Sequence, residues 1–113
     1  MIKKHFQDIT EEVMTKANAT KTTIRWLVTK EDGSERYATR RFEIKPGGQI
    51  GVHSHPEEHH IYILEGSCIL IDEYGEKVEA NPGDVLFIPS NEPHGYANEG
   101  TETVAFLCVI PYL

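Results

Sequence analysis

Turn-forming residues interrupt this chain at short intervals, and their spacing is the feature that most limits how it can fold. The turn signals fall at Asp32-Gly33, Pro46-Gly47-Gly48, Gly51, Pro56, Gly66, Tyr74-Gly75, Pro82-Gly83, Pro89, Pro93, Gly95 and Gly100. Between them lie short runs rich in β-branched and aromatic residues. Short strands with a turn signal about every 8–12 residues are typical of β-sandwiches and barrels. The spacing therefore predicts an all-β fold.

The runs between the turns give the predicted elements. Strands are predicted over residues 22–29, 36–44, 59–64, 67–72, 77–80, 85–88, 95–97 and 103–110. The first two form a hairpin, with Asp32-Gly33 at its tip. Residues 10–16 have a helical pattern, with Thr10 as an N-cap and glutamates in the first turn. Because 113 residues build one core and little more, we expect a single domain.

Charge and composition exclude several classes of partner. The chain has 11 lysines and arginines against 18 aspartates and glutamates, a formal net charge of −7, and so lacks the basic patch that nucleic-acid binding needs. No apolar stretch approaches the roughly 20 residues of a membrane span. The N-terminus has no apolar run after its lysines, and Cys68 and Cys108 are too few for a disulfide scaffold. We therefore expect a cytoplasmic protein without nucleic-acid or membrane partners.

The histidines are concentrated in one part of the chain. His53 and His55 are two apart, so both leave a strand by the same face. His59 opens the next predicted strand and faces the same point if that strand pairs back on the first, whereas His60 points away. His94 follows a proline-rich loop. Buried imidazoles without partners would each cost about 1–3 kcal/mol. We therefore interpret four of them as ligands of one metal ion, namely His53, His55, His59 and His94.

With these histidines, the chain resembles the cupin family in two motifs. The first, G-x5-H-x-H-x3,4-E-x6-G, is matched by Gly47, His53, His55 and Gly66, with His59 in the place of the glutamate. The second, G-x5-P-x-G-x2-H-x3-N, is matched by Gly83, Pro89, His94 and Asn98, with Asn91 in the place of a glycine. The motifs together cover residues 47–98.

The resemblance implies a fold and an assembly. The expected fold is a double-stranded β-helix, the jelly-roll barrel of cupins, formed by residues 1–113 as one domain. The expected assembly is a homodimer, in which residues 1–20 form an N-terminal extension whose strands are exchanged between subunits. The sequence itself shows only that these residues have no obvious place in a minimal barrel.

The resemblance also bears on the metal. A histidine in the glutamate position is similar to small single-domain cupins that hold manganese with four histidines, so manganese is the expected divalent ion. Imidazole also suits iron, nickel, copper and zinc. Four neutral ligands leave the full +2 charge on the ion, which makes it a stronger Lewis acid than three histidines and a glutamate would. An octahedral ion would keep two open positions for a substrate or O2.

Strand parity predicts the residues of a substrate pocket. If His59 points inward, Ile61 and Ile63 do too. Phe106 and Cys108 share one face of the last strand, and the resemblance implies that this face lines the cavity near the metal. We expect a pocket formed by these four residues, although simple core packing is the alternative for each of them.

Three arginines have two interpretations. Arg25, Arg40 and Arg41 lie on the predicted strands that would form the opposite wall. We interpret them as surface charges with acidic neighbours, and an anion-binding wall is the alternative.

Two functions fit this pattern. The first is a metal-dependent oxygenase or oxidative cleavage enzyme acting on a small, partly apolar molecule, and open coordination in an apolar cavity favours it. The second is a non-catalytic module that binds a small ligand or signal. The absence of an acid–base pair on the predicted inner faces favours the second. We expect the enzyme.

Overall fold

A computed structural model describes all residues 1–113, and almost all of its regular structure is β-strand. The strands are β1 (Glu12–Val13), β2 (Thr20–Val28), β3 (Tyr37–His53), β4 (His59–Glu65), β5 (Cys68–Ile71), β6 (Lys77–Ala80), β7 (Val85–Ile88), β8 (His94–Ala97) and β9 (Val104–Pro111). The helical segments are three-residue 3-10 turns at Phe6–Asp8, Lys16–Asn18 and Lys30–Asp32. None of the helical segments is long and apolar enough to cross a membrane. The predicted all-β class is confirmed.

The long strand β3 organises the fold because its two halves pair with different neighbours. Its first half, from Tyr37 to Ile44, lies antiparallel between β2 and β9. Its last part, from Gln49 to His53, pairs with β8. The strand bends between these halves at Pro46 and Gly47, where a φ of +82° favours glycine. The result is one curled sheet in the order β6-β5-β8-β3-β9-β4-β7, with β2 and β1 added at β3. This topology agrees with the expected jelly-roll barrel.

The core lies inside the curl of the sheet. Its fully or almost fully buried side chains are mainly Ile44, Ile50, Ile61, Ile63, Cys68, Val104, Phe106 and Cys108. Phe106 stacks between two other aromatic rings, with centroid distances of 5.1 Å to Phe42 and 5.3 Å to Tyr96. Such stacked pairs contribute beyond the area that they bury. The aromatic stack therefore fixes the centre of the barrel.

One buried polar residue ties two turns to this core. The side-chain amide of Asn98 donates hydrogen bonds to the carbonyl oxygens of Ile44 (2.8 Å) and Glu102 (2.7 Å). Its carbonyl oxygen accepts one from the backbone N–H of Gly100 at 3.0 Å. The side chain of Asn98, a residue of the second motif, thus forms hydrogen bonds with backbone groups that burial would otherwise leave unpaired.

Two local predictions are wrong. Residues 10–16 form no helix: β1 pairs instead with β2, with Val13 opposite Thr23, because the outer edge of β2 has backbone groups that need partners. Strand β4 does not pair back on β3 but lies between β7 and β9. The segment that precedes β2 packs on its own chain, and its exchange between two subunits stays a prediction.

Candidate metal centre

The four histidines of the predicted metal site come together inside the barrel. His53 and His94 lie opposite each other in the register of β3 and β8, with ring centroids 4.6 Å apart. His55 follows in the loop after β3, and its ring lies 5.0 Å from that of His94. His59 opens β4, with its ring 4.4 Å from His55 and 5.3 Å from His94. By contrast, His60 is exposed on the other face of β4.

Three of these rings are oriented by the same kind of hydrogen bond. In each, Nδ1 lies within hydrogen-bond distance of a backbone carbonyl two residues away: His53 to Gly51 (2.7 Å), His55 to Glu57 (2.8 Å) and His94 to Glu92 (2.8 Å). A carbonyl can only accept, so in the neutral ring Nδ1 carries the proton and Nε2 keeps its lone pair. Metal-binding histidines are commonly held in this way. The three side chains can bring their ligand atoms within 4.8 Å of one another.

The chemistry of this donor set fits a divalent metal ion. The Nε2 atom of His94 is buried and has no hydrogen-bond partner. Leaving a buried acceptor unpaired costs free energy, and coordination of a cation removes that cost. Neutral imidazoles are ligands for most first-row divalent metals. His53, His55 and His94 could hold such an ion together. His59 is outside this group of three, although its Nε2 lies 2.9 Å from Nε2 of His55.

His59 differs from the other three in its hydrogen bonding. Its Nδ1 faces the guanidinium of Arg40 at 3.5 Å, so it accepts rather than donates. Its Nε2 then carries the proton and donates to Nε2 of His55 at 2.9 Å. To offer Nε2 to a metal, the neutral His59 ring must carry its proton on Nδ1 instead, against Arg40. The site thus consists of three equivalent histidines and one of a different kind.

Burial keeps two of the histidines neutral. Burial, and secondarily the charge of Arg40, lowers the pKa of His59 to about 3. Burial also lowers the pKa of His94 to about 4, although its bond to the Glu92 carbonyl opposes the shift. Both rings are therefore in the uncharged form that a metal requires at neutral pH.

These shifts predict that the metal-free protein loses stability as the pH falls below 6.5. Histidines in the unfolded chain take up protons near that pH, whereas His59 and His94 in the folded chain do not, so protonation favours unfolding. Each of these two histidines should lower the free energy of unfolding by about 1 kcal/mol between pH 6.5 and 5.5, and the two together by about 2 kcal/mol. Urea unfolding of the metal-free protein at a series of pH values measures this. A stability that stays level over this range would contradict the prediction.

An apolar cavity of about 580 Å³ adjoins the histidines. Its walls include His53, His55, His59, Ile24, Trp26, Phe42, Ile50, Tyr96, Phe106, Cys108 and Ile110. Of the predicted pocket residues, Phe106 and Cys108 line the cavity, whereas Ile61 and Ile63 lie buried in the core and are not part of its wall. Parity decides which face of a strand a side chain takes but not its depth in the barrel. It therefore cannot separate a cavity wall from a packed core.

The N-terminal segment closes part of this cavity. Residues from Glu12 to Ala17 contribute to its wall, and Met14 and Ala17 also pack against the core. Sequence reasoning gave this segment no role in the site. Its alternation is too short to predict a strand, and only the open edge of β2 explains its position.

The three arginines have different environments. Arg25 pairs with Glu11 at 3.0 Å and with Glu43 at 2.6 Å, and Arg41 pairs with Glu43 at 2.5 Å, so these two have the acidic neighbours that were expected. Arg41 is nevertheless buried and is not the surface charge that was expected. For Arg40 the preferred interpretation is wrong. Arg40 is buried, lines the cavity and forms no ion pair, because its position on β3 faces inward between Trp26 and Cys108.

Comparison with known proteins places the chain among related barrels. Residues 40–110 match the family described as Cupin domain. An oxalate-binding protein of Thermotoga maritima is 39% identical over 71 residues, which is 62% of this chain and 58% of that protein. The match thus spans less than two thirds of this relative.

Solved structures extend the similarity over almost the whole chain. The polyketide cyclase RemF of Streptomyces resistomycificus superposes with a TM-score of 0.93 at 38% identity, covering 98% of this chain and 79% of that one. A structure described as a predicted oxalate decarboxylase from Thermotoga maritima has a TM-score of 0.84 at 30% identity, covering 96% and 97% of the two chains. The family match, the barrel topology and the two motifs agree. This chain belongs to the cupin family.

Proposed function

We propose that this chain is a divalent-metal enzyme that closes a ring in a small molecule carrying several carbonyl groups. The observation that carries the proposal is the convergence of four imidazole rings, from His53, His55, His59 and His94, beside an apolar cavity. The similarity to a polyketide cyclase over 98% of the chain supports it. Manganese is the metal that the four-histidine pattern suggests, and zinc, iron, nickel or copper would suit the same donors.

The ligand set favours acid–base chemistry over electron transfer. His53, His55, His59 and His94 would hold a divalent ion without reducing its charge, and the ion would supply Lewis acidity, which polarises a carbonyl group and acidifies the adjacent C–H bond. No carboxylate takes part in the histidine cluster, so nothing there reduces that charge. The same uncompensated charge disfavours oxidation of the ion to the trivalent state.

The residues of this chain would contribute orientation and exclusion of water. The carbonyl groups of Gly51, Glu57 and Glu92 hold three of the rings in one orientation. The stacked rings of Phe42 and Phe106 give a flat substrate an apolar wall. Burial raises the pKa of Tyr96 well above its usual value, so its phenol stays protonated and can donate a hydrogen bond. The overall reaction joins a carbon next to one carbonyl to the carbon of another, and water leaves.

A second candidate is the oxidative cleavage expected from the sequence. The apolar walls of the cavity would suit a reaction with O2 equally well. The two candidates differ in their stoichiometry, because ring closure with loss of water consumes no O2 and oxidative cleavage consumes it.

The test is to incubate the manganese- or zinc-loaded protein with linear tri- and tetraketo acids and to follow product mass and O2 together. Loss of water without O2 uptake supports the proposed ring closure. Uptake of O2 with cleaved products supports the second candidate. Unchanged substrates and no O2 uptake across the series would overturn both and leave a non-catalytic ligand-binding module. Activity should be lost in His55→Ala and kept in the matched control His60→Ala, which alters an exposed histidine beside the cluster.

A further inference from the structure

Arg40 is a buried cation without an anionic partner. Arg40 is 9% exposed, and none of the ion pairs of the protein includes it. Its Nε atom is buried and has no hydrogen-bond partner. A buried charge is costly unless it is paired and hydrogen-bonded. The position of Arg40 on the cavity wall therefore needs a physical reason.

The protein contacts of Arg40 are too weak to supply that reason. One terminal nitrogen donates to the sulfur of Cys108 at 3.0 Å and approaches Nδ1 of His59 at 3.5 Å. A thiol is a weak acceptor, and 3.5 Å is long for a hydrogen bond. Burial raises the pKa of Cys108, so the thiol adds no negative charge. The guanidinium thus keeps donors free on the wall of the cavity.

Aromatic side chains hold the guanidinium in place. Its central carbon lies 4.9 Å from the ring centre of Phe42 and 5.4 Å from that of Trp26. Both contacts are within the range of cation–π attraction. Trp26 is 39% exposed, so this part of the cavity wall reaches solvent. A group that enters past Trp26 would meet Arg40 beside the histidine cluster.

The charges of the cavity point to an anionic ligand. Arg40 adds one positive charge to the two of a divalent ion, and the carboxylates on the cavity wall, Glu12 and Glu57, are not buried and form no ion pair with it. An arginine fork matches the two oxygens of a carboxylate and makes charge-assisted hydrogen bonds to them. A carboxylate would therefore satisfy the free donors and offset the buried charge.

We propose that Arg40 binds the carboxylate of the ligand, a flat conjugated acid whose carbonyl oxygens reach the histidine cluster. The wall formed by Phe42, Phe106 and Tyr96 is the apolar surface against which the body of this acid packs. This inference rests on the proposed function for the metal and narrows its substrate to keto acids. The Arg40 site itself belongs to the chain and needs no metal to be tested.

The test compares two probes of equal shape, 2-naphthoate and the uncharged 2-naphthamide, by isothermal titration calorimetry. In the metal-free full chain, we expect naphthoate to bind about 10- to 100-fold more tightly than naphthamide, because charge-assisted hydrogen bonds favour the acid. The preference should disappear in Arg40→Gln. It should persist in the control Arg36→Gln, which removes an exposed arginine. Arg40→Lys keeps the charge but not the planar fork, and its preference should be intermediate.

Two results would overturn the inference: equal affinities for the two probes in the unaltered protein, or an undiminished preference in Arg40→Gln. Should Arg40→Gln fail to fold, as judged by circular dichroism, the comparison of probes in the unaltered protein and in Arg40→Lys decides. Metal content and ring closure are measured separately. A protein that prefers naphthoate through Arg40 but closes no ring supports the carboxylate site and contradicts the proposed function. A protein that closes a ring but has no preference for naphthoate supports the proposed function and contradicts the carboxylate site.

Discussion

Replacing His55 with alanine should remove most of the bound metal and lower the melting temperature of the metal-loaded protein. Removing hydrogen-bond partners of metal ligands already costs about 10- to 100-fold in affinity, so loss of a ligand should cost at least about 100-fold. A metal at about 100 times its dissociation constant adds about 2.7 kcal/mol of stability to the folded state. Losing it should lower the melting temperature by about 10 °C or more. Elemental analysis and calorimetry of the same sample measure both effects.

The matched control for this experiment is His60→Ala. His60 lies on the exposed face of β4, opposite to the face that carries His59. This variant should keep its metal and its melting temperature, since exposed substitutions usually change stability by less than about 0.5 kcal/mol. Full metal occupancy in His55→Ala would contradict the assignment of that histidine as a ligand.

Replacing Phe106 with alanine should have a large effect on stability that does not depend on the metal. Phe106 is 1% exposed and stacks on both Phe42 and Tyr96. Phenylalanine-to-alanine substitutions in such cores cost about 3–5 kcal/mol, because they remove contacts and leave a cavity. Urea unfolding of the metal-free protein should show this loss as a lower midpoint.

The control for Phe106 is a phenylalanine on the outer face of the sheet. Phe87 is 59% exposed, and Phe87→Ala should change the free energy of unfolding by less than about 0.5 kcal/mol. If Phe106→Ala costs no more than Phe87→Ala, the aromatic stack is not a packed part of the core.

The strands and the shared face of His53 and His55 could be predicted because both depend on local pattern. Turn residues mark the ends of strands, and a period of two decides that His53 and His55 share a face. The resemblance to cupins then supplied the barrel, and with it the approach of His94 to the other histidines, which no local pattern contains.

The rest of the site depends on long-range packing, which the sequence pattern does not reveal. The strands on either side of Arg40 decide whether its side chain pairs with a carboxylate or lines the cavity. Strand β2 places Trp26 beside it, and β9 places Cys108 beside it. The neighbouring Arg41 lies on the opposite face of the strand and forms an ion pair with Glu43. Within the segment where a helix was expected, residues 12–16 form part of the cavity wall instead, because the edge of β2 was open for pairing.

The long bent strand β3 also bears on the order in which the molecule assembles. It pairs with β9 between Tyr37 and Pro111, and with β8 between His53 and His94, so its partners are distant along the chain. Closing such large loops costs conformational entropy before any stabilising contact forms. Domains with this topology therefore fold slowly, on the order of milliseconds to seconds. Because His94 reaches the other histidines only through this long-range pairing, the four histidines come together only where the barrel has formed. The relative positions of the four rings are thus set by the closed barrel and not by any one segment of the chain.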